Sequence, residues 1–341
     1  MKLRIFTLVL ALVLLVSAFA GCQKTPVPEE QPLDNTPAPE KTLEVSLDLT
    51  KEWKALNGSD SLVQGCLVVR RAFLEEHFGA VQAFLAAYKE SVEFLNANPK
   101  EAAALISETG IFENATIAEK AIPKCNICYL DGAEMKTAME AYLTALASVN
   151  PNAIGGKLPE DDFYYVSEAA AEENDTTIKV FTLNGTTGFG MAKLIAEDTV
   201  NEYTVKTDAS DVTAALVSGD ADIAALPTNA ASALYNKTGG KVVILAVNTK
   251  GCLYLLNSTG EKIESLADLK GKTVYVPAQN PTFIVTYLLG AAGLTVGKDV
   301  FLDSESYAVP ANLRDAVASG EVELAVLPEP MVTIAKAKFG K

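Results

Sequence analysis

Val212-Thr-Ala-Ala-Leu-Val-Ser-Gly-Asp-Ala-Asp-Ile-Ala-Ala-Leu-Pro-Thr-Asn-Ala230 recurs without a gap, 101 residues further on, as Leu313-Arg-Asp-Ala-Val-Ala-Ser-Gly-Glu-Val-Glu-Leu-Ala-Val-Leu-Pro-Glu-Pro-Met331. Six of the 19 positions are identical, and Asp220/Glu321 and Asp222/Glu323 keep the carboxylate. Each copy reads as a short helix closed by Gly219 or Gly320, a buried strand (223–226, 324–327) and a Leu-Pro turn. Glycine ends helices in the left-handed conformation, and a short apolar run bounded by turn residues suits a buried strand. Another strand stands upstream of each copy and runs into a turn and a helix. These are 178–183 before Asn184-Gly-Thr-Thr-Gly-Phe-Gly190, and 273–276 before Pro277-Ala-Gln-Asn-Pro-Thr282. A period of about 100 residues is too long for a solenoid. It fits two similar α/β lobes facing each other, and ligands bind outside the carboxyl ends of strands in open α/β sheets. The strand-end loops therefore point to a cleft.

The N-terminus carries an address. Lys2 and Arg4 precede an apolar run from Ile5 to Phe19, and Ala20-Gly21-Cys22 supplies a small-residue cleavage site, the pattern of an export leader over 1–21. The run falls short of the about 20 residues that span a bilayer. Residues 22–42 hold Pro26, Pro28, Pro32, Pro37 and Pro39 among acidic and polar side chains. Such a segment cannot bury a core and reads as a disordered Pro/Glu-rich tether.

The body from Leu43 to Lys341 is long enough for two lobes with real cores. The net charge of −15 disfavours a nucleic-acid partner, because no basic face is available to neutralise phosphates. Five cysteines include Cys22. Cys125-Asn-Ile-Cys128 has zinc-like spacing, but there is no second pair and His77 is the sole histidine. A tetrahedral site wants four ligands, so no metal and no cofactor is expected. Cys66, Cys125, Cys128 and Cys252 read as buried thiols, or as one disulfide in an exported protein.

Along the body, 43–49 alternates as a strand and 62–69 is a second. Three helices come next within 73–150. The first carries Val81, Phe84, Leu85, Tyr88, Val92 and Leu95 on one face, and the second begins at Asn98-Pro99. The third opens on a capping box, Asp131-Gly-Ala-Glu134, with Met135, Ala138, Met139, Tyr142 and Leu146 as its core stripe. Residues 169–175 are small and polar, a linker. Then strands and helices alternate: strand 178–183, helix 189–197, strand 202–207, helix 211–218, strand 222–226, helix 228–236, strand 241–248. The apolar run 251–256 reads as a strand and a hinge between lobes. Helix 329–338 ends the chain with no strand to complete the second lobe.

These segments together resemble the substrate-binding lipoproteins of ABC importers. The residues that carry the resemblance are 178–191, 222–229, 268–273, 327–330, 47–53, 62–70 and 155–165. Among those proteins the chain is most similar to the branch related to sulfonate, taurine and thiamine-precursor binders. Ala20-Gly21-Cys22 likewise resembles a lipobox, with Phe19 in place of the usual Leu. That implies diacylation at Cys22 and a lipid anchor on the extracytoplasmic face of the cell membrane. The competing reading is an ordinary secretory leader with Cys22 in the mature chain. The resemblance implies an α/β, two-lobed type II periplasmic-binding-protein fold, each lobe a mixed sheet flanked by helices.

The order departs from that family, since 43–165 precedes 178–341, and the chain looks circularly permuted. Lobe two would comprise 43–60 and 261–341, and lobe one 61–260 with the permutation linker 169–176. Strand 43–49 is then expected to pair in the sheet of lobe two, among 273–276 and 322–327, and Lys341 to lie near Leu43. If that strand has no backbone partner within 270–330, the permuted order is wrong and the two-lobed cleft loses its main support. Should a disulfide exist, the resemblance favours Cys66–Cys125.

The expected ligand residues are Asn184, Gly185, Thr186, Thr187, Gly188, Phe189, Thr228, Asn229, Asn280, Thr282, Glu329 and Gln64. The loop 184–190 lacks the Lys-Ser/Thr of a phosphate loop, but it offers N–H groups at a helix start and two hydroxyls. The alternative is a tight turn needing glycine for geometry. No Arg or Lys occurs in these loops, so a strongly anionic ligand would rely on N–H groups and helix dipoles. Glu329 either favours a donor or a cation opposite it or is an exposed turn carboxylate. Trp53, the single tryptophan, stacks on a ligand or caps the core of lobe two. Replacing Thr186 or Asn229 with Ala is expected to weaken binding by roughly 1–3 kcal/mol with little effect on ligand-free melting.

The functional expectation is a monomeric, membrane-tethered solute receptor that closes on a small polar organic molecule and delivers it to an ABC permease. It needs no catalytic residue. Two other classes remain. One is an enzyme on the same fold, of the thiamine-pyrimidine or menaquinone-pathway type, against which stand the leader and an unactivated His77. The other is a protein-binding partner of a sensor.

Overall fold

The computed structural model describes residues 41–166 and 176–340. The leader, Cys22, most of the tether, most of the linker 169–176 and Lys341 lie outside the described residues. The strands are β1 (Glu44–Asp48), β2 (Val63–Arg70), β3 (Ile127–Leu130), β4 (Lys179–Leu183), β5 (Glu202–Lys206), β6 (Ile223–Pro227), β7 (Val242–Lys250), β8 (Leu253–Asn257), β9 (Thr273–Tyr275), β10 (Phe301–Asp303) and β11 (Leu324–Pro328). The helices are α1 (Leu49–Asn57), α2 (Arg71–Glu76), α3 (Phe78–Ala97), α4 (Pro99–Glu108), α5 (Ala115–Ala121), α6 (Gly132–Val149), α7 (Thr186–Phe189), α8 (Ala192–Glu197), α9 (Ala209–Ser218), α10 (Thr228–Thr238), α11 (Asn280–Ala291), α12 (Pro310–Ser319) and α13 (Met331–Lys338).

The fold is mixed α/β, with two sheets flanked by helices. One sheet has the order β3-β7-β2-β6-β4-β5 and the other β1-β8-β11-β9-β10. In the first, β6 runs parallel to β4 and antiparallel to β2, which is antiparallel to β7. In the second, β11 runs parallel to β9 and antiparallel to β8, which is antiparallel to β1. Five strands of one sheet thus answer the five of the other. The duplicated sequences fill equivalent places, α9-β6-α10 and α12-β11-α13, with Gly219 (φ 86°) and Gly320 (φ 79°) closing α9 and α12. The retained carboxylates differ in role. Asp222 is buried, pairs with Arg70 and accepts the Lys179 N–H at 3.0 Å, whereas Glu323 is half-buried and pairs with Lys41.

The chain passes between the sheets at 58–62, from α1 to β2, and at 251–252, from β7 to β8. One apolar core runs through this junction. Leu255, Val274 and Val326 belong to the same buried cluster as Val63, Cys66 and Leu226, with Trp53 and Tyr142 among them. Trp53 is 1% exposed, its Nε1 donates to Ser61 Oγ at 3.0 Å, and its ring lies 5.7 Å from that of Tyr142 and 4.9 Å from that of Tyr287. Trp53 is therefore a core residue at the junction. A second core forms behind the six-stranded sheet, where the α3 stripe from Val81 to Leu95 meets Val180, Ile223 and Leu245.

Several expectations need correction. β1 does lie in the sheet that holds β9 and β11, but its ladder partner is β8, with Glu44 opposite Asn257 and Asp48 opposite Tyr254. No residue of 270–330 pairs with it, so the ladder does not supply the pairing set out for a permuted order. The physical reason is that β8 is buried along its whole length, and a central strand needs both edges covered. β11 covers one and β1 the other. For the same reason β8 departs from the expected boundary at 260, which grouped it with the other sheet. Asp131 makes no side-chain cap at the start of α6, so the capping box is not formed. The helix expected over 189–197 is broken, α7 ending at Phe189 and α8 beginning at Ala192. Cys66 and Cys125 are both free and buried in different clusters, so the favoured disulfide is absent. Among the described residues no group of three or more His, Cys, Asp or Glu side chains is placed to hold a metal ion.

Candidate functional site

The loop after β4 is shaped by two glycines. Gly185 has φ 79° and ψ −156°, a conformation open to glycine almost alone. Gly188 lies so close to β4 that a Cβ would overlap the Leu183 carbonyl oxygen. Much of the N–H cradle expected here is already committed. The amide of Asn184 donates to Lys206 O, that of Gly185 to Ile111 O and that of Gly188 to Gly185 O. The Asn184 side chain is exposed, and Phe189 is fully buried against Phe112, with centroids 6.2 Å apart. The turn geometry accounts for these four residues.

Thr186 and Glu329, expected on facing loops, do meet. The Thr186 hydroxyl donates to the Glu329 carbonyl oxygen at 2.7 Å. The Glu329 side chain is wholly buried, where its carboxylate accepts from Thr333 N–H at 3.1 Å and from Thr333 Oγ1 at 3.0 Å, with Lys124 Nζ at 4.0 Å. Burial holds its carboxyl above the ordinary range, opposed by the Thr333 donors and Lys124. It is thus a buried, helix-capping carboxylate rather than an exposed turn residue. Burial and the nearby Glu329 push the Cys252 thiol up to about 12 and the Cys125 thiol up as well, so neither is a ready nucleophile.

Thr228 and Asn280 also come together, through a residue read from the sequence as core. The Tyr142 hydroxyl donates to Asn280 Oδ1 at 2.8 Å with the Thr228 side chain close by, while the Thr228 hydroxyl donates to Val63 O at 2.7 Å. Gln64 Oε1 accepts the Cys252 N–H at 2.8 Å beside the second crossover, and the Asn248 Nδ2 donates to Thr187 O at 3.3 Å. Two expected residues lie apart. Thr282 turns its hydroxyl onto Pro277 O within its own loop, at 2.8 Å, and Asn229 reaches Ala153 O at 3.4 Å.

The loops of the two halves are therefore bonded to each other. Lys124, Tyr142 and Asn248 were missed from the sequence. Asn248 had a signal, a polar pair with Thr249 ending the apolar run of β7, both buried. Lys124 lies on a short 3-10 turn, Ile122–Lys124, with no local mark of its destination. Cavities of about 900 Å³, lined by Arg70, Arg71, Lys237 and Lys241 among others, and about 390 Å³, lined by Ser91, Lys193 and Asp198 among others, open elsewhere on the six-stranded half. Neither is lined by an expected ligand residue.

Residues 198–338 match the family model described as ABC transporter, phosphonate, periplasmic substrate-binding protein. That stretch runs from just before β5 to the end of α13 and takes in both copies of the duplicated unit. This part of the chain is similar to the substrate-binding proteins of ABC transporters, a family of transport binding proteins. No curated protein matches the chain. Among solved structures it is similar to an ABC transporter from Parabacteroides distasonis, at 28% identity over 48% of this chain and 56% of that one, with a TM-score of 0.35. It is also similar to the alkanesulfonate-binding protein SsuA from Xanthomonas axonopodis pv. citri bound to MOPS, at 18% identity over 47% and 56%, with a TM-score of 0.31. The chain spans a little over half the length of these two structures.

Proposed function

We propose that the protein is an extracytoplasmic solute-binding component of an ABC importer. It is lipid-anchored at Cys22, captures a small polar organic molecule between its two sheets, and hands that molecule to a membrane permease. The observation that carries this reading is the family match over 198–338, which takes in both copies of the duplicated unit and the strand ends after β6, β9 and β11. Thr186, Thr228, Asn280, Glu329 and Gln64 lie on those ends or at the crossover and would contact the ligand once the halves part. The anchor rests on the lipobox-like Ala20-Gly21-Cys22. Among the described residues no helix is long and apolar enough to cross a membrane.

Native mass spectrometry of freshly purified protein tests the reading. Methylphosphonate and ethanesulfonate are the first added probes, because the matching family is one for phosphonates and SsuA is an alkanesulfonate binder. A retained or added small molecule that raises the melting temperature supports it. No bound mass and no shift with either probe or with a cell metabolite extract would oppose it. For the anchor, the wild type should partition into detergent when expressed in bacteria, while Cys22→Ser should be released or left unprocessed. Equal membrane retention of a processed Cys22→Ser chain would rule the lipid out.

A further inference from the structure

One hydroxyl, that of Tyr142, reaches an expected ligand residue of the other half, donating to Asn280 Oδ1 at 2.8 Å with Thr228 beside it. It projects from the middle of α6, which packs on β2 and β7 of one sheet and on α11, the helix that comes after β9 of the other. Its side chain is fully buried. Around the phenol stand the Trp53 ring from α1, Thr228 at the start of α10, and Asn280 at the start of α11. The thiols of Cys66 and Cys252 are also near. None of these groups carries a charge, so the hydroxyl's bond to Asn280 is the polar tie at this point of the junction.

We propose that Tyr142 is a positioning residue, a latch that keeps the two halves closed in the absence of ligand. When the halves are together, the phenol and the Asn280 carboxamide satisfy each other, as buried polar groups must. When they part, water can satisfy both. Removing the hydroxyl while keeping the ring therefore penalises the closed form alone, because the bond that ties α6 to the half-buried Asn280 exists only there. A ligand entering the junction has to break this bond, and it regains closure only by offering a hydrogen-bonding group of its own there. The latch stands on the two-sheet geometry and not on the solute-binding reading, so either can fail without the other.

The experiment uses the full chain without added ligand, as wild type, Tyr142→Phe, Asn280→Ala and the double variant. Thr282→Ala serves as control, since its hydroxyl bonds inside its own loop. Small-angle scattering reads the radius of gyration, and emission of the single tryptophan, Trp53 at the junction, reads local opening. Both single variants should increase the radius of gyration and shift Trp53 emission to the red, and the double variant should go no further than the larger single effect. The control should match wild type. A lower melting temperature with an unchanged radius of gyration would mean a merely structural hydroxyl and would overturn the latch, as would additive effects in the double variant. If Tyr142→Phe does not fold, Asn280→Ala decides alone, because it cuts the same bond from a half-buried position.

Discussion

Replacing Gly188 with alanine places a Cβ inside the contact distance of the Leu183 carbonyl oxygen, with Ile111 Cγ2 at 3.1 Å and Thr182 Oγ1 at 3.2 Å. The closest atom is backbone, at the end of β4, and its strand is held in register by β5, where Leu183 pairs with Lys206. The clash cannot be relieved by turning a side chain. Either α7 moves away from β4 or the last rung of the ladder gives. Overpacking of this kind costs about 1–3 kcal/mol, and the rigid neighbour puts the expectation near the top of that range. For a body of this length each kcal/mol lowers melting by about 1.5–2 °C, so the variant should melt about 4–6 °C below wild type. Gly290→Ala is the counterpart. That glycine sits in the last turn of α11, and a Cβ placed there meets nothing within 4 Å, so the change should be neutral or stabilise by up to about 1 kcal/mol. Differential scanning calorimetry of both variants checks the pair. A Gly188→Ala chain that melts within about 1 °C of wild type would show that the loop is not pinned by close approach, and the glycine would then have to be explained by ligand contact.

Three further outcomes are expected. Thr186→Val should lower ligand-free stability by about 1 kcal/mol, because the lost hydroxyl bonds the Glu329 carbonyl across the junction. This revises the expectation of little effect, and an unchanged melting temperature would restore it. Gly251→Ala should destabilise by about 1–3 kcal/mol, since its Cβ would collide with Thr50 and Leu62 at the second crossover. Full retention of thermal stability would show that the crossover has room. For Glu329, the folded-state value is raised above 4.5 by burial. Its contribution is therefore fully present below the unfolded value and is lost as pH rises through the folded one. The stability of wild type relative to Glu329→Gln should fall as pH is raised from about 4 towards neutrality, and a gap that is flat or widening over that window would refute the sign.

The fold is legible wherever a local pattern coincides with burial. The two Ser-Gly-Asp/Glu copies, the αL glycines closing α9 and α12, and the α3 stripe each announce themselves within a few residues. The site is legible in part. Thr186, Thr228, Asn280 and Glu329 stand at strand ends, and strand ends are where two facing sheets bring loops together. What the sequence does not carry is which way each polar group turns. Thr282 and Asn229 differ from Thr186 and Asn280 in no local feature, yet their bonds stay within a loop or go to a neighbouring turn. Tyr142 shows the converse. Its spacing on α6 is that of a core residue and its ring is indeed core, but its hydroxyl requires a partner, and the partner is 138 residues away in sequence.

The partner of β1 escapes the sequence because the two copies stop resembling each other before that strand is reached. Carried one strand further, the repeat determines the answer. In the six-stranded sheet the strand antiparallel to β6 is β2, and beyond β2 lies β7. In the five-stranded sheet the strand antiparallel to β11 is β8, so the position equivalent to β7 lies beyond β8, and β1 occupies it. The two crossovers come from the same equivalence. Each sheet takes its strand next to the duplicated unit from a segment that has just left the other sheet, β2 arriving from α1 and β8 arriving from β7. Exchanging strands in this way joins the cores across 58–62 and 251–252, which is why Trp53 and Tyr142 end up in one buried cluster with residues of both sheets. A hinge built from two such strands can bend only where side chains leave room. At Gly251 they leave none for a Cβ, and the Glu329 N–H bonds Cys252 O at 2.9 Å, so the contact between Thr186 and Glu329 sits against the second crossover.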